Sequence, residues 1–259
     1  MTSESALGAG LRAVGWPGEP AIERHPTLGS TNDRLKELAR RGAPEGTIVL
    51  ADIQTTGHGR QGRSWASPGG NLHLSALLRP ACAVPLLPLA AGVAVAEAIE
   101  PLGVSPRLKW PNDVMLDDRK LGGILAESSS TGTALEWVVL GIGLNVNGAL
   151  PEDLRDTAIS LSQAGASSVD VEGMAAAVLG RLAVWYHRLT DGGPSQVVNA
   201  WRERALPWWG RRVRAWSGQG QVEGRALGID DEGGLVLELD GGARMTLRSG
   251  EVSCPRPAG

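Results

Sequence analysis

Residues 57–63 form a glycine-rich stretch that carries two arginines, Arg60 and Arg63. Glycine lets a backbone turn tightly and approach a ligand closely, and arginine adds a fixed positive charge with fork-shaped donors. The stretch matches the G-x-G-x-x-G pattern of dinucleotide-binding proteins, and a predicted strand over residues 47–53 precedes it. That pattern also needs a helix at its end and an acidic residue about 20 positions on, and neither is evident here. We therefore predict a loop that wraps an anion in a different way, with an ordinary glycine-rich hairpin as the alternative.

Three further segments combine charged or amide side chains with rigid or bare backbone. In residues 109–113, which read KWPND, a proline stiffens the chain at a strand break, where ligand contacts are common. In residues 120–123, Lys120 precedes two glycines and can reach into the space beside a bare backbone. Residues 141–147 place small and apolar residues ahead of two amides. The structural alternatives are a turn between strands, a surface lysine beside a bulge, and a buried strand that ends in a turn.

Other common catalytic signatures are missing from the sequence. It has no phosphate-binding G-x-x-x-x-G-K-[ST] loop, no H-E-x-x-H motif and no G-x-S-x-G motif. None of the four histidines pairs with another at metal-ligand spacing on a predicted helix. The two cysteines, Cys82 and Cys254, are too few and too far apart for a disulfide framework or a zinc site. The sequence therefore predicts no certain metal site.

The composition is that of an ordinary globular protein. The 259 residues carry a formal net charge of −3, which argues against DNA binding through bulk positive potential. We expect no membrane span, because such a span needs roughly 18 consecutive apolar residues. The N-terminus lacks the basic start and apolar core of a signal peptide. We therefore expect a cytoplasmic protein that binds neither DNA nor a membrane.

The hydrophobic pattern predicts an α+β fold. Ser30 can cap a helix over residues 32–41, with Asp33 in the position of a capping box, and the apolar stretch 86–102 predicts a buried helix. Strands are predicted at 47–54, 71–78, 106–110, 113–117, 120–128 and 135–147, and further helices at 170–190 and 195–205. Short strands between Trp209 and Cys254 predict a small all-β barrel. We divide the chain into a flexible lead-in (1–20), a main domain (21–206) and the barrel (207–259).

The motifs, taken in order along one chain, resemble those of the biotin protein ligases. The matching segments are Ser30-Thr31-Asn32, residues 54–65, 109–113, 120–125 and 141–145. The resemblance covers roughly residues 22–255. It implies a central mixed β-sheet flanked by helices, similar to class II synthetases, followed by an SH3-like barrel.

The resemblance also implies a reaction and a set of site residues. The family makes biotinyl-5′-AMP from biotin and ATP with Mg²⁺, then passes biotin to one lysine of a carrier protein, such as the carrier subunit of acetyl-CoA carboxylase. Catalytic roles are implied for Arg60, Lys120 and Asp113. Biotin contacts are implied for Ser30, Thr31, Asn32, Gln54, Gly57, His58, Gly59, Arg60, Lys120, Gly123 and Gly143. Nucleotide contacts are implied for Arg63, Trp65, Asn112, Asp113 and Asn145.

Two departures from the family pattern bear on function. His58 stands where the family loop commonly has its first arginine, so the role of a charged side chain there stays open. Bifunctional members carry a winged-helix repressor domain ahead of the catalytic part, and residues 1–20 are too few to form one. We therefore expect no repressor activity.

Two alternatives to a biotin ligase stay open, a lipoate–protein ligase and a biotin-sensing transcriptional regulator. The KWPND segment and the terminal barrel favour the biotin ligase. The oligomeric state stays open, with a homodimer as one alternative.

Overall fold

The computed structural model describes residues 6–80, 84–166, 169–218 and 220–254. The helices are α1 (Ala6–Ala13), α2 (Thr31–Arg40), α3 (Leu87–Ile99), α4 (Val171–Thr190) and α5 (Pro194–Arg204). The first seven strands are β1 (Ile22–Leu28), β2 (Ile48–Gln54), β3 (Leu72–Leu78), β4 (Arg107–Lys109), β5 (Asp113–Leu116), β6 (Arg119–Thr131) and β7 (Ala134–Leu144). The last five are β8 (Arg212–Ser217), β9 (Gly220–Ile229), β10 (Leu235–Glu238), β11 (Arg244–Leu247) and β12 (Glu251–Ser253).

The strands form two sheets. A seven-stranded sheet has the order β1-β2-β3-β7-β6-β5-β4, and a five-stranded sheet has the order β11-β10-β9-β8-β12. In the first sheet β1 and β2 are parallel, because α2 carries the chain back between them, and the remaining neighbours are antiparallel. All neighbours in the second sheet are antiparallel. The predicted α+β class, with a central mixed sheet and a separate C-terminal β unit, is confirmed.

The seven-stranded sheet has a helical layer on each face. Side chains alternate between the two faces of a strand. On β3, Leu72 and Leu74 belong to the large core shared with α3, α4 and α5, whereas Leu77 belongs to a smaller core with Leu35 of α2. The face of the sheet that α2 covers therefore has a small apolar core, which leaves room there for polar residues.

Helix α2 begins with the predicted cap. The Ser30 side chain accepts a hydrogen bond from the backbone N–H of Asp33 at 3.4 Å, which satisfies one of the free donors at the helix start. Thr31, Leu35 and Ala39 recur every four residues and are buried. The capped end thus directs the polar first turn of α2 into the protein, beside the strands.

Helix α3 lies within the stretch predicted as a buried helix, with short 3-10 turns at Val84–Leu86 and Glu100–Leu102. By length and composition alone the segment Val84–Leu102 could cross a membrane. In the fold, 67% of this segment is buried against the rest of the protein. The core helix of a soluble protein passes the same test.

The expectation of a flexible lead-in is wrong for residues 6–20. Residues 6–13 form α1, Leu11 is only 2% exposed, and the indole Nε1 of Trp16 donates to the carbonyl of Gly46 at 2.9 Å. Two glycines and a length of eight residues make this helix intrinsically weak, so burial against α4 stabilises it. Residues 1–5 lie outside the described part of the chain.

Two other predictions need correction or fall outside the described residues. Strand β7 ends at Leu144 rather than at 147, because the Asn71 side chain accepts the N–H of Val146 at 2.8 Å in place of a neighbouring strand. Cys82 lies in the range 81–83, outside the described residues.

We expect Leu11→Ala to lower the free energy of unfolding by about 2–3 kcal/mol, since it leaves a cavity between α1 and α4. The matched control is Val14→Ala, whose side chain is 48% exposed and whose loss should cost less than about 0.5 kcal/mol. Urea denaturation followed by circular dichroism measures both. Equal stabilities for the two variants would show that α1 does not belong to the core.

Candidate functional site

A cavity of about 170 Å³ opens between the start of α2, the glycine-rich loop and strands β5, β6 and β7. The loop and strand residues that line it include Gln54, His58, Gly59, Arg60, Arg63, Trp65, Asn112, Asp113, Lys120, Gly123, Gly141 and Gly143. Ser30, Thr31 and Asn32 line it from the start of α2. Glu251 and Val252 reach it from the C-terminal sheet. Both sheets therefore contribute to one site.

The floor of the cavity is bare backbone. On β7, Val139 and the glycines 141 and 143 point to the α2 face, while the residues between them belong to the large core. Gly143 pairs with Gly123 of β6, so two glycines lie side by side on this face. A Cβ atom at Gly141 would lie 2.2 Å from the Asn32 side-chain oxygen. Glycine at these positions creates the space that the surrounding side chains enclose.

A network of hydrogen bonds fixes the polar wall on the α2 side. The Oε1 of Gln54 accepts from the Thr31 N–H at 2.8 Å, and the Nε2 of Gln54 donates to Ser67 at 2.8 Å. The Oδ1 of Asn32 accepts from Ser75 at 2.5 Å. These bonds hold Gln54 and Asn32 in fixed positions, so the wall is preorganised for hydrogen bonding to a polar molecule.

The Glu127 carboxylate supports this polar wall from the side away from the cavity. The Nδ2 of Asn32 donates to Glu127 at 2.8 Å, and Lys36 bonds the same carboxylate at 2.8 Å. Burial by itself would raise the pKa of Glu127, but the hydrogen bonds from Lys36 and Asn32 outweigh it and lower the pKa below its ordinary value. Glu127 is therefore ionised at neutral pH and holds the Asn32 amide in a single orientation.

The glycine-rich loop is a narrow hairpin. The Gly59 N–H bonds the Arg63 carbonyl at 2.7 Å, and the Trp65 N–H bonds the Gly57 carbonyl at 2.9 Å. A short 3-10 turn at Arg60–Gly62 closes its tip, where Gln61 has a φ of 56°. No helix follows, because residues 63–70 continue as loop. The prediction that this segment departs from the dinucleotide-binding arrangement is confirmed.

Trp65, at the end of the hairpin, lies across the glycine floor. A Cβ atom at Gly143 would be 2.6 Å from the indole ring, and the Lys120 ammonium lies 5.3 Å from the ring centroid. The indole N–H is buried with no hydrogen-bond partner among the described residues. Trp65 therefore rests against the two glycines that we assigned to the biotin pocket, and its nucleotide contact stays a prediction.

Two lysines share one carboxylate at the other side of the cavity. Lys120 Nζ lies 2.5 Å from Asp113, and Lys109 Nζ lies 3.9 Å from the same side chain. Strand pairing brings them together, since Lys109 pairs with Asp113 between β4 and β5. The backbone of Lys120 is pinned by bonds to Thr157 and Ile159. Asp113 thus holds two cations at the edge of the cavity.

The two loop arginines reach the C-terminal sheet. Arg60 donates to the Gly250 carbonyl at 2.8 Å and to Asn112 at 3.4 Å, and Arg63 pairs with Glu251. Burial lowers the pKa of Arg60, while the charges of Glu251 and Asp113 oppose that shift. Arginine stays protonated in proteins, so Arg60 is a desolvated cation at the cavity mouth.

Most of the predicted site residues come together. Of the sixteen, fourteen line the cavity and two, Gly57 and Asn145, do not. Gly57 packs where a Cβ atom would be 2.6 Å from Ser67 Oγ, so it shapes the hairpin. Asn145 is buried and donates to the carbonyls of Ile159 and Lys120, so it supports the strand that carries Lys120. For these two residues, direct ligand contact stays a prediction.

Several lining residues received no role from the sequence, among them Lys109, Gly141, Glu251 and Val252. Lys109 belongs to the KWPND segment, but the sequence assigned it no role. Its position four residues before Asp113 could have indicated an ion pair between them. Glu251 and Val252 had no signal, because more than 100 residues separate them from the rest of the site. Gly141 stands out in the sequence only as a small residue, although a Cβ atom there would lie 2.2 Å from Asn32 Oδ1.

We expect Gly141→Ala to destabilise the protein by about 1–3 kcal/mol, because the added methyl group would overlap the Asn32 amide. Gly180→Ala, in α4 with nothing within 4 Å of the new methyl group, is the matched control. It should instead stabilise the protein by about 0.5–1 kcal/mol, as alanine replaces glycine in a helix. Chemical denaturation measures both, and an unchanged stability for Gly141→Ala would rule out the close approach.

Sequence comparisons place this geometry in a family. Residues 25–145 match the Biotin/lipoate A/B protein ligase family, and residues 209–254 match the Biotin protein ligase C terminal domain. The chain is 40% identical to the Bifunctional ligase/repressor BirA of Bacillus subtilis, over 93% of this chain and 76% of that protein. It is 39% identical to a Biotin--[acetyl-CoA-carboxylase] ligase of Mycobacterium tuberculosis, over 96% of this chain and 92% of that protein.

The fold is also similar to that of a solved biotin protein ligase. The biotin protein ligase from Aquifex aeolicus, in complex with biotin and ATP, superimposes with a TM-score of 0.78. That comparison covers 91% of this chain and 99% of the other at 29% identity. With two relatives matched over nearly the whole sequence, and with the predicted fold present, the chain belongs to the biotin protein ligase family.

Proposed function

We propose that this protein activates biotin with ATP to give biotinyl-5′-AMP and pyrophosphate, then transfers biotin to a lysine of a biotin carrier domain. The observation that carries the proposal is the convergence of Arg60 and Lys120 on one cavity with a glycine floor and a polar wall. The A. aeolicus relative, whose structure holds biotin and ATP, has the same fold.

The cavity offers an acid like biotin two kinds of contact. The wall formed by Thr31, Asn32 and Gln54 presents donors and acceptors that suit a cyclic urea, which carries both. The floor at Gly123 and Gly143 can accept a flat or apolar group once the Trp65 indole moves aside. The carboxylate of such an acid would then extend toward Lys120.

The first step requires cations, because its main barrier is the repulsion between two anions. The acid's carboxylate oxygen bonds to the α-phosphorus of ATP, and the bond to the bridging oxygen of pyrophosphate breaks. Two anions must therefore approach each other, so catalysis depends on positioning and on neutralising charge. Lys120 lies beside the floor and Arg60 at the mouth, so together they can hold the carboxylate and the α-phosphate.

Mg²⁺ is expected to enter with ATP. Magnesium is usually held by one or two carboxylates together with substrate phosphates. Asp113 presents a carboxylate and Asn112 an amide oxygen to the cavity, and no group of three His, Cys, Asp or Glu among the described residues forms a ready metal site. These two residues fit a metal that the nucleotide brings, and the metal would neutralise phosphate charge.

In the second step the amine of the acceptor lysine attacks the acyl carbonyl, AMP leaves, and the amine loses a proton. Asp113 is our candidate to assist that proton loss. It already pairs with Lys120 at 2.5 Å, so it must exchange this partner, or act through it, when the acceptor arrives. The hairpin can cover the mixed anhydride and keep water from it in the meantime.

The carrier, the assembly state and the location rest on relatives and composition. The M. tuberculosis relative is named for acetyl-CoA carboxylase, which supports the carrier subunit of that enzyme as the acceptor. A cytoplasmic location, the absence of DNA binding and a homodimer remain our expectations.

The nearest rival is a lipoate–protein ligase, because the family that matches residues 25–145 includes both activities. The match of residues 209–254 to a biotin protein ligase C-terminal domain favours biotin. A biotin-sensing regulator is the other alternative, since the B. subtilis relative is named as a ligase and repressor. Retention of promoter DNA in a gel shift at physiological salt would support that alternative.

Incubation with Mg-ATP and either biotin or lipoic acid, followed by mass spectrometry, tests the proposal directly. We expect biotinyl-5′-AMP, and then biotin on a purified carrier domain. Formation of lipoyl-AMP without biotinyl-AMP would contradict the proposal.

We expect Lys120→Ala to slow adenylate formation at least about 100-fold, as when a preorganised charged contact is lost. Arg119→Ala is the matched control, because the neighbouring residue on β6 points to the opposite face and does not line the cavity. Pre-steady-state measurement of pyrophosphate release compares them. A wild-type rate in Lys120→Ala would remove Lys120 from the mechanism.

A further inference from the structure

Glu127 of β6 bonds two donors with its two carboxylate oxygens. Its Oε1 accepts from the Lys36 ammonium at 2.8 Å, and its Oε2 accepts from the Asn32 Nδ2 at 2.8 Å. His58 Nε2 lies 3.8 Å from Oε2, which is too far for a hydrogen bond. An ionised carboxylate can only accept hydrogen bonds, so the amide nitrogen of Asn32, and not its oxygen, must face Glu127. The Leu125 carbonyl, 3.5 Å from the same nitrogen, requires the same orientation.

The orientation of Asn32 fixes the direction of the next two hydrogen bonds. The Ser75 hydroxyl has one hydrogen and lies 2.5 Å from Asn32 Oδ1 and 2.8 Å from Thr31 Oγ1. An amide oxygen can only accept, so the hydrogen of Ser75 goes to Asn32. The bond between the two hydroxyls then uses the hydrogen of Thr31. The direction set at the carboxylate therefore reaches Thr31, which lines the cavity.

The direction of these bonds decides what the polar wall offers to a ligand. When Thr31 donates to Ser75, its oxygen keeps its lone pairs free. Gln54 Oε1 accepts the Thr31 N–H at 2.8 Å and keeps its second lone pair free. If the Asn32 amide were reversed, Ser75 would donate to Thr31, and Thr31 to Gln54 Oε1 at 3.1 Å. Each of these two oxygens would lose a lone pair, so the wall would accept fewer hydrogen bonds from a ligand.

We propose that Glu127 is a positioning residue that acts through Asn32 and Ser75 and keeps the polar wall in the arrangement that accepts N–H groups from a ligand. The cavity thereby selects an acid that carries N–H donors at the end away from its carboxylate. The orientation of Asn32 is a property of the ligand-free protein. The selection of a cyclic urea rests on the function proposed above.

Lys36 makes this role of Glu127 testable, because an ammonium can only donate. In Glu127→Gln the new amide must turn its oxygen toward Lys36, at the position of Oε1, so its NH₂ group faces Asn32. Two NH₂ groups then oppose each other unless the Asn32 amide reverses. A double variant that adds Lys36→Met removes this requirement. The glutamine oxygen can then turn to Asn32 and restore the original direction.

The Asn32 side-chain amide, followed by heteronuclear NMR in the ligand-free protein, tests the orientation. In Glu127→Gln we expect its N–H signals to shift and its hydrogen exchange to be about tenfold faster, with a return toward wild type in the double variant. Glu136→Gln is the matched control, because Glu136 accepts from Ser129 and Thr131 away from the cavity. It should leave the Asn32 signals unchanged. A double variant no closer to wild type than Glu127→Gln would overturn the proposal.

Calorimetry tests the selection with biotin and its two cyclic carbamate analogues, in each of which oxygen replaces one urea N–H. We expect wild type to bind at least one carbamate about ten- to hundredfold more weakly than biotin, because an acceptor then faces an acceptor. Glu127→Gln should reduce this ratio to about threefold or less, and the double variant should restore most of it. A ratio in Glu127→Gln equal to that of wild type would contradict the proposed selection.

Formation of biotinyl-AMP by the same samples separates the two proposals. If wild type neither binds biotin nor forms the adenylate but the pattern of Asn32 signals holds, the function is wrong and the role of Glu127 in orienting Asn32 stands. If wild type forms the adenylate but the Asn32 signals and the selection ignore Glu127, the role of Glu127 is wrong and the function stands.

Discussion

The structure depends on a concentration of positive charge in a partly enclosed space. The charged residues that line the cavity, apart from His58, are Arg60, Arg63, Lys109 and Lys120 against Asp113 and Glu251. Like charges that lose contact with water repel strongly, so each cation needs a partner. Asp113 forms ion pairs with Lys109 and Lys120, and Glu251 forms one with Arg63. The Gly250 carbonyl accepts a hydrogen bond from Arg60. The remaining excess of positive charge suits a ligand that brings a carboxylate and phosphates.

The fold also provides the space that this charged site needs. Strand alternation directs most apolar residues of β3, β6 and β7 into the large core, so part of the α2 face is available for glycines and polar groups. The capped start of α2 delivers Thr31 and Asn32 to the same face. Gly250 and Glu251, at the start of β12, then contact the two loop arginines, so the C-terminal sheet contributes to the mouth of the cavity.

The sequence predicted the features whose signals are local. The Ser30 cap, the buried helix near residues 87–99 and the departure of residues 57–63 from the dinucleotide pattern could all be read from neighbouring residues. The convergence of fourteen site residues followed from motif order, which the family resemblance supplied. Helix α1 could not be predicted, because its stability comes from burial of Leu11 rather than from its own composition. The position of Trp65 and the contact of Glu251 with Arg63 depend on residues that are far apart in the sequence, so a short stretch of sequence could not predict them.

We propose that Arg60 closes the charged cavity over the activated acid. The most direct measurement is the rate at which biotinyl-AMP escapes from wild type and from Arg60→Gly, followed by rapid filtration after adenylate formation. We expect escape to be about tenfold faster or more in the variant, as for loss of one hydrogen bond to a charged group, with more labelling of bystander lysines. Escape at the wild-type rate would contradict the claim.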